Sequence, residues 1–337
     1  MSTIVDASKC SSKKRDLPIL VNRENTEGRT YIVTGANTGL GFEAAKHLAS
    51  LGAAKVILAV RNNITGQAAK YEIDVAAGTA EKNVVEVWPL DLCSFDSVKA
   101  FAKRAATELE RIDAVIENAA LALMDREMTE GHLRTVTVNV TSTFLLAALL
   151  LPAMSEKAKR FGIQPRLAII SSSIGFSVKE HWERIKNDPL NGMDGEEISG
   201  TDVYSLTKLV ENFAVHHLAR DLLPVDKTSV IINIVCPGLC VTKLGRHATQ
   251  EAMAHLRQLH ALMGRTAEDG SRTLLHGAVG GVETHGKFLE SCEIGEDTTL
   301  PDWVKDVEVQ KHTWDAIAKE LEVTAPGCVA KMLECAV

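Results

Sequence analysis

Short runs of β-branched and aromatic residues alternate along this chain with longer segments whose apolar positions recur every three to four residues; the first pattern predicts strands and the second helices. The strand-like runs cover residues 30–33, 55–60, 84–90, 112–117, 166–170, 230–236 and 286–292. Helical patterns run from the glycines near 39 through Leu51, then over residues 94–110, 129–154, 201–222 and 302–321. Strands that alternate with helices of ten or more residues imply an α/β fold, with a doubly wound, mostly parallel sheet covered on both faces. Ligands of such a sheet sit at the carboxyl ends of its strands.

Composition narrows this picture. The 337 residues contain no proline-rich or glycine/serine-rich linker, so a single domain over 29–294 is expected, with an N-terminal extension (1–28) and a C-terminal helical extension (295–337). A net charge of −7 argues against nucleic acid or an anionic membrane surface as partner. The seven cysteines, an odd number spread from Cys10 to Cys335, form neither a disulfide framework nor a CxxC pattern, and no metal is expected. The longest purely apolar run, 144–151, is too short to span a bilayer, and residues 1–28 lack the apolar core of a signal peptide. The expected compartment is the cytoplasm.

Three stretches suggest chemistry. After the first strand comes Thr34-Gly35-Ala36-Asn37-Thr38-Gly39-Leu40-Gly41, then a helix. Glycines between strand and helix let the backbone approach a pyrophosphate, which the helix N-terminal amides then meet. The second strand ends at Arg61, and no Asp or Glu occurs between Glu43 and Glu72. An acid near Arg61 would hold the ribose 2′-hydroxyl of NAD, whereas an arginine grips a 2′-phosphate, so NADP(H) is favoured. Third, Tyr204 and Lys208 stand four apart on a helix, so the phenol and the ammonium can project into one pocket. A nearby cation lowers a phenol's pKa and makes it usable as an acid–base group. Taken alone, Asp91 reads as a helix cap, Asn139 as a surface or kink residue, and Ser171-Ser172-Ser173 as loop or cap residues.

The glycine spacing, Thr-Gly-x-x-x-Gly-x-Gly, resembles the fingerprint of the short-chain dehydrogenase/reductase family, whose other motifs follow in order over roughly residues 29–294. Tyr-Ser-Leu-Thr-Lys-Leu-Val-Glu-Asn and the Arg-Asn after strand two look most like its retinol-dehydrogenase-like branch, including fungal members. The resemblance implies a Rossmann-type fold and a catalytic set of Asn139, Ser172, Tyr204 and Lys208. It implies cofactor contacts from Gly35, Asn37, Thr38, Gly39, Leu40, Gly41, Arg61, Asp91 and Leu92. Further contacts would come from Asn118, Ala119, Ala120, Tyr204, Lys208, Pro237, Gly238, Leu239 and Thr242. Ser172 is selected because the family's serine precedes a glycine by three, here Gly175; Asn139 would hold a water of the proton relay.

The chain departs from the family pattern at Glu117 and Ala120, where Asn-Asn-Ala-Gly has its first Asn and its Gly, and at Ser142 in place of a glycine. Residues 178–200, more than compact members need, would be a substrate lid, and 239–265 the mobile substrate-binding stretch. The implied activity is NADP(H)-dependent hydride transfer to or from a carbonyl or secondary alcohol of a small to bulky apolar metabolite. Two alternatives stay open: a non-catalytic NADP(H)-sensing protein, and the same fold used for epimerisation or dehydration. A homodimer is possible through the helices of Asn139 and Tyr204, which a long C-terminal extension can block.

Overall fold

The computed structural model describes residues 16–336 apart from position 248. Residues 1–15 of the N-terminal extension, Cys10 among them, lie outside the described residues. Eight strands, β1 (Thr30–Thr34), β2 (Lys55–Val60), β3 (Val85–Pro89), β4 (Ala114–Glu117), β5 (Arg166–Ile170), β6 (Ile231–Cys236), β7 (Phe288–Glu290) and β8 (Glu293–Ile294), form one sheet. Their order is β8-β7-β6-β5-β4-β1-β2-β3, and every pair is parallel except the β7/β8 hairpin. Val56-Ile57-Leu58-Ala59-Val60 shows why β2 lies inside: a continuous apolar run suits a strand buried on both faces.

From β1 the chain winds outward through β2 to β3, then returns to β4 on the other side of β1 and winds the opposite way. The connections leaving β1 and β4 therefore diverge and open a crevice at the carboxyl ends. Helices α1 (Gly39–Ser50) and α2 (Asn63–Ala77) pack on one face, and α3 (Phe95–Glu108) and α4 (Arg134–Phe161) on the other. The second face also carries α5 (Gly200–His217). Helix α6 (Gln250–Met263) has no buried residue, and α7 (Ala267–Val279) returns to the first face beside α1. Among the described residues α4 is the one helix long and apolar enough to cross a membrane, but 89% of its apolar window is buried in the molecule, which makes it a core helix.

Two expected boundaries shift for local reasons. The helix expected from residue 129 begins at Arg134, because Glu130 (φ +50°) and Gly131 (φ +92°) turn a hairpin between Met128–Thr129 and His132–Leu133. Two successive positive-φ residues suit a tight hairpin turn and interrupt a helix. At its other end α4 runs through Pro152 to Phe161, beyond the expected 154, because its apolar side chains are buried almost without interruption.

Residues 178–200 form two short helices whose side chains Trp182, Ile185, Leu190 and Met193 are buried, as is Ile198 in the turn that follows. Arg126 ties the segment down by donating to the carbonyls of Asp194, Gly195 and Ile198, and Asp194 accepts from Leu133 N. The C-terminal helix α8 (Val307–Thr324) joins the same core. Trp182 lies 4.9 Å from Phe213 on α5, Phe213 lies 6.2 Å from Trp303, and Phe144 on α4 lies 6.0 Å from Trp314 on α8. The segment expected as a lid thus shares, in the structure, a core with α5 and α8. Trp182→Ala should cost about 3–5 kcal/mol in urea unfolding, the loss typical of a large aromatic in a packed core. A change below about 0.5 kcal/mol would identify the segment as a loosely held flap.

Candidate active site

At the end of β1 the chain turns through Gly35 (φ +65°) and Gly39 (φ +63°), conformations that favour glycine. Helix α1 then starts with Thr38 as its N-cap residue, but the threonine side chain makes no capping bond. By contrast, Asn62 caps α2 and Ser94 caps α3, each accepting from an amide three residues on. The first amides of α1 are left facing the crevice, the arrangement an anion needs. Gly41 serves packing instead: a Cβ there would stand 2.6 Å from Asn118 Nδ2 and 3.1 Å from the Gly35 carbonyl oxygen. Asn118 Nδ2 donates to Thr34 O at 2.9 Å, and Ala119 N donates to Thr34 Oγ1 at 2.9 Å, bracing β4 against β1.

The crevice has a volume of about 510 Å³. It brings together Gly35, Asn37, Thr38, Gly39, Leu40, Arg61, Asp91, Leu92, Asn118, Ala119, Ala120, Tyr204, Lys208, Pro237 and Thr242. Five other expected residues do not line it: Gly41, Asn139, Ser172, Gly238 and Leu239. Arg61 is exposed at its rim and makes no ion pair among the described residues. Asp91 does not cap α3, since Ser94 does; its carboxylate accepts from Cys93 N at 3.0 Å while lining the crevice.

Sequence reasoning missed Asn62 and Thr65, legible only as a capping pair, although Asn37 Nδ2 donates to Thr65 Oγ1 at 3.1 Å across the crevice. It placed Lys243 and Arg246 only within the 239–265 substrate-binding stretch and did not name them as residues that add positive charge to this crevice. Unpaired helix amides, positive-φ glycines and a free guanidinium fit a dinucleotide phosphate, so the residues present match a nicotinamide dinucleotide.

Behind the crevice, β5 and α5 hold the polar groups. Lys208 Nζ lies 5.8 Å from the centre of the Tyr204 ring. It donates to Ile170 O at 2.9 Å and to Glu211 Oε1 at 2.7 Å. The two charged side chains are only 3% and 2% exposed, a fully buried ion pair. This changes the expected electrostatics of Tyr204. Burial pushes its phenol above the ordinary range, and the charges of Glu211 and then Cys236 push it the same way. Glu211 could have been found from sequence, because it follows Lys208 by three on a helix.

Asn139 lies in a π-helical turn (Thr137–Thr141) inside α4 and is fully buried. Its Oδ1 accepts from Leu121 N at 2.9 Å, and its Nδ2 donates to Leu121 O and to Thr207 Oγ1 at 2.9 and 3.0 Å. Ser171 Oγ is turned inward, donating to Lys208 O at 3.0 Å. Ser172 is half-buried and accepts from Ile174 N at 3.3 Å, which leaves its own O–H free to donate.

A family model for short chain dehydrogenases matches residues 29–183. The chain is 39% identical over 307 residues to the short chain dehydrogenase/reductase dmxR8 of Cryptosporiopsis sp. (strain 8999), covering 90% of this chain and 93% of that protein. This chain is a short-chain dehydrogenase/reductase. It is also 39% identical over 262 residues to the short chain dehydrogenase atnD of Emericella nidulans, covering 77% and 82% of the two chains.

Solved structures share the fold. One is a short-chain dehydrogenase from Sphingobium yanoikuyae in complex with NADPH, with a TM-score of 0.57 at 21% identity, covering 78% of this chain and 87% of that one. Another is a putative short chain dehydrogenase from Pseudomonas syringae, with a TM-score of 0.60 at 22% identity, covering 82% and 98%. In this short-chain dehydrogenase/reductase the tight seat of Gly41 has a direct consequence. Gly41→Ala should displace Asn118 from Thr34 and lower stability by about 1–3 kcal/mol in denaturant unfolding, the usual cost of overpacking. An unchanged midpoint would mean that the Asn118 brace is not held there.

Proposed function

We propose that this oxidoreductase binds NADP(H) and transfers a hydride between the nicotinamide and a carbonyl or secondary alcohol carbon of a small to bulky apolar metabolite. The observation that carries this reading is the convergence of Gly35, Gly39, Arg61, Tyr204 and Lys208 in one crevice. Arg61 supports NADP(H) over NAD(H): its guanidinium is free at the end of β2, where no carboxylate stands to take a ribose 2′-hydroxyl. Thr38 and Gly39 would offer the first amides of α1 to the pyrophosphate, Asp91 would accept from the adenine amino group, and Pro237 and Thr242 would seat the nicotinamide.

When bound, the cofactor supplies or accepts the hydride. Tyr204 gives the proton to the substrate oxygen in reduction, and Ser172, whose O–H is free, donates a hydrogen bond to that oxygen as negative charge builds on it. Asn139 holds Leu121 at the crevice wall and fixes Thr207, the residue before Lys208. Trp314 of α8 packs on Phe144 of α4, which supports the reading in which the C-terminal extension blocks a homodimer through the helices of Asn139 and Tyr204.

Arg61→Ala should weaken NADPH binding about 10- to 100-fold in a fluorescence titration, the worth of a charge-assisted hydrogen-bonded contact, while NADH affinity changes less than about threefold. Equal losses for both cofactors would remove the 2′-phosphate assignment. Tyr204→Phe should abolish turnover on a carbonyl panel with NADPH affinity kept. Tight NADPH binding by the wild-type protein with no turnover on any carbonyl would make it a sensor rather than an enzyme.

A further inference from the structure

Arg265, which the sequence reading placed only at the end of the 239–265 stretch, is among the largest fully buried side chains, 1% exposed between α6 and α7. It does not line the crevice, whereas Pro237 and Thr242 do. Its Nη1 donates to Pro237 O at 2.8 Å, and its Nη2 donates to Ser291 Oγ at 2.7 Å. The main chain adds to this grip: Arg265 N donates to Leu239 O at 2.8 Å, and Val241 N donates to Arg265 O at 2.9 Å. Ser291 and Cys292 turn the β7/β8 hairpin at φ +55° and +61°, left-handed conformations that asparagine and glycine usually fill. One planar fork thus spans the turn after β6 and the hairpin after β7. Helix α6, which lies between Thr242 and Arg265 in the chain, buries no residue and gives that turn no brace of its own.

We propose that Arg265 is a positioning residue for the nicotinamide half of the cofactor: it fixes the Pro237–Thr242 turn against which that half is seated. The peptide plane between Pro237 and Gly238 (φ +77°) is set by two soft torsions, Pro237 ψ and Gly238 φ, and a bond to the Pro237 carbonyl oxygen pins both. Only a planar fork reaches that carbonyl and the Ser291 hydroxyl together; an ammonium carries the same charge without that geometry. From the α7 side the turn is packed tightly: a Cβ on Gly270 would stand 2.3 Å from Cys240 Sγ and 2.9 Å from Leu40 Cδ2. Hydride transfer tolerates little displacement of the ring, so a shifted seat costs both affinity and rate. The adenosine half does not pass through Arg265. Arg61 and Asp91 follow β2 and β3, on the far side of β1 from β6.

This inference rests on the NADP(H) reading above, and two probes keep their failures apart. NADPH is titrated beside 2′-phospho-ADP-ribose, which has the same adenosine, 2′-phosphate and pyrophosphate but no nicotinamide. A wild-type protein that binds neither probe removes the NADP(H) reading and this inference with it. In Arg265→Lys, NADPH binding should weaken about tenfold or more, the worth of a charge-assisted bond, while 2′-phospho-ADP-ribose binding changes less than about twofold. The rise in NADPH fluorescence on binding, which reports the surroundings of the nicotinamide, should shrink in the same variant. A purely structural role would not divide the two halves of the cofactor. Equal losses for both probes, or no loss for either, overturn the proposal and leave the NADP(H) reading standing. If Arg265→Lys does not fold, Ser291→Gly decides: glycine suits φ +55°, and the missing hydroxyl releases one arm of the fork. NADPH binding should then weaken about threefold or more with 2′-phospho-ADP-ribose unaffected, and the absence of that split overturns the proposal.

Discussion

Parallel pairing is the constraint on which this molecule depends. Because β1 through β7 all run the same way, every strand ends on one edge of the sheet, and segments far apart in sequence meet there. The glycine turn after β1, Arg61 after β2, Asp91 after β3, Asn118 after β4 and Pro237 after β6 share one crevice for that reason alone. The reversal of winding between β1 and β4 opens it. Such a sheet also needs cover on both faces, which accounts for the apolar surfaces of α1, α4, α5 and α7.

Much of this was legible in the sequence, because the signals were local. Strands of continuous apolar residues were placed within about two residues, and the glycine turn and the Tyr204/Lys208 spacing fell where the crevice forms. What was not legible depends on partners distant in sequence. Residues 178–200 look like a loop between two motifs, and nothing local shows that Trp182 stacks on Phe213 beside Trp303. Arg134 begins α4 only because Glu130 and Gly131 take positive φ, which a helical periodicity cannot reveal. Ser172 fits the family spacing, yet it stands beside the crevice lining, where its Oγ accepts from Ile174 N and keeps its O–H for another acceptor, a placement that a motif does not encode.

Electrostatics was the least legible property of all. A lysine four residues from a tyrosine reads as a lone cation until Glu211 is counted, and Glu211 matters because both side chains are removed from water. At the surface the same i,i+3 pair would be worth little. Its position between β5 and the interior of α5 makes the charge on Lys208 a property of three residues instead of one.

The aromatic wall made by Trp303 and Trp314 has a consequence for biogenesis. Phe144 and Phe213 belong to helices synthesised well before the segment that covers them. A growing polypeptide emerges N-terminal part first and can assemble its first βα units early, but the greasy backs of α4 and α5 stay bare until Trp303 and Trp314 have been made. A chain cut before Trp303 would leave that apolar surface uncovered even though the crevice residues had all been made.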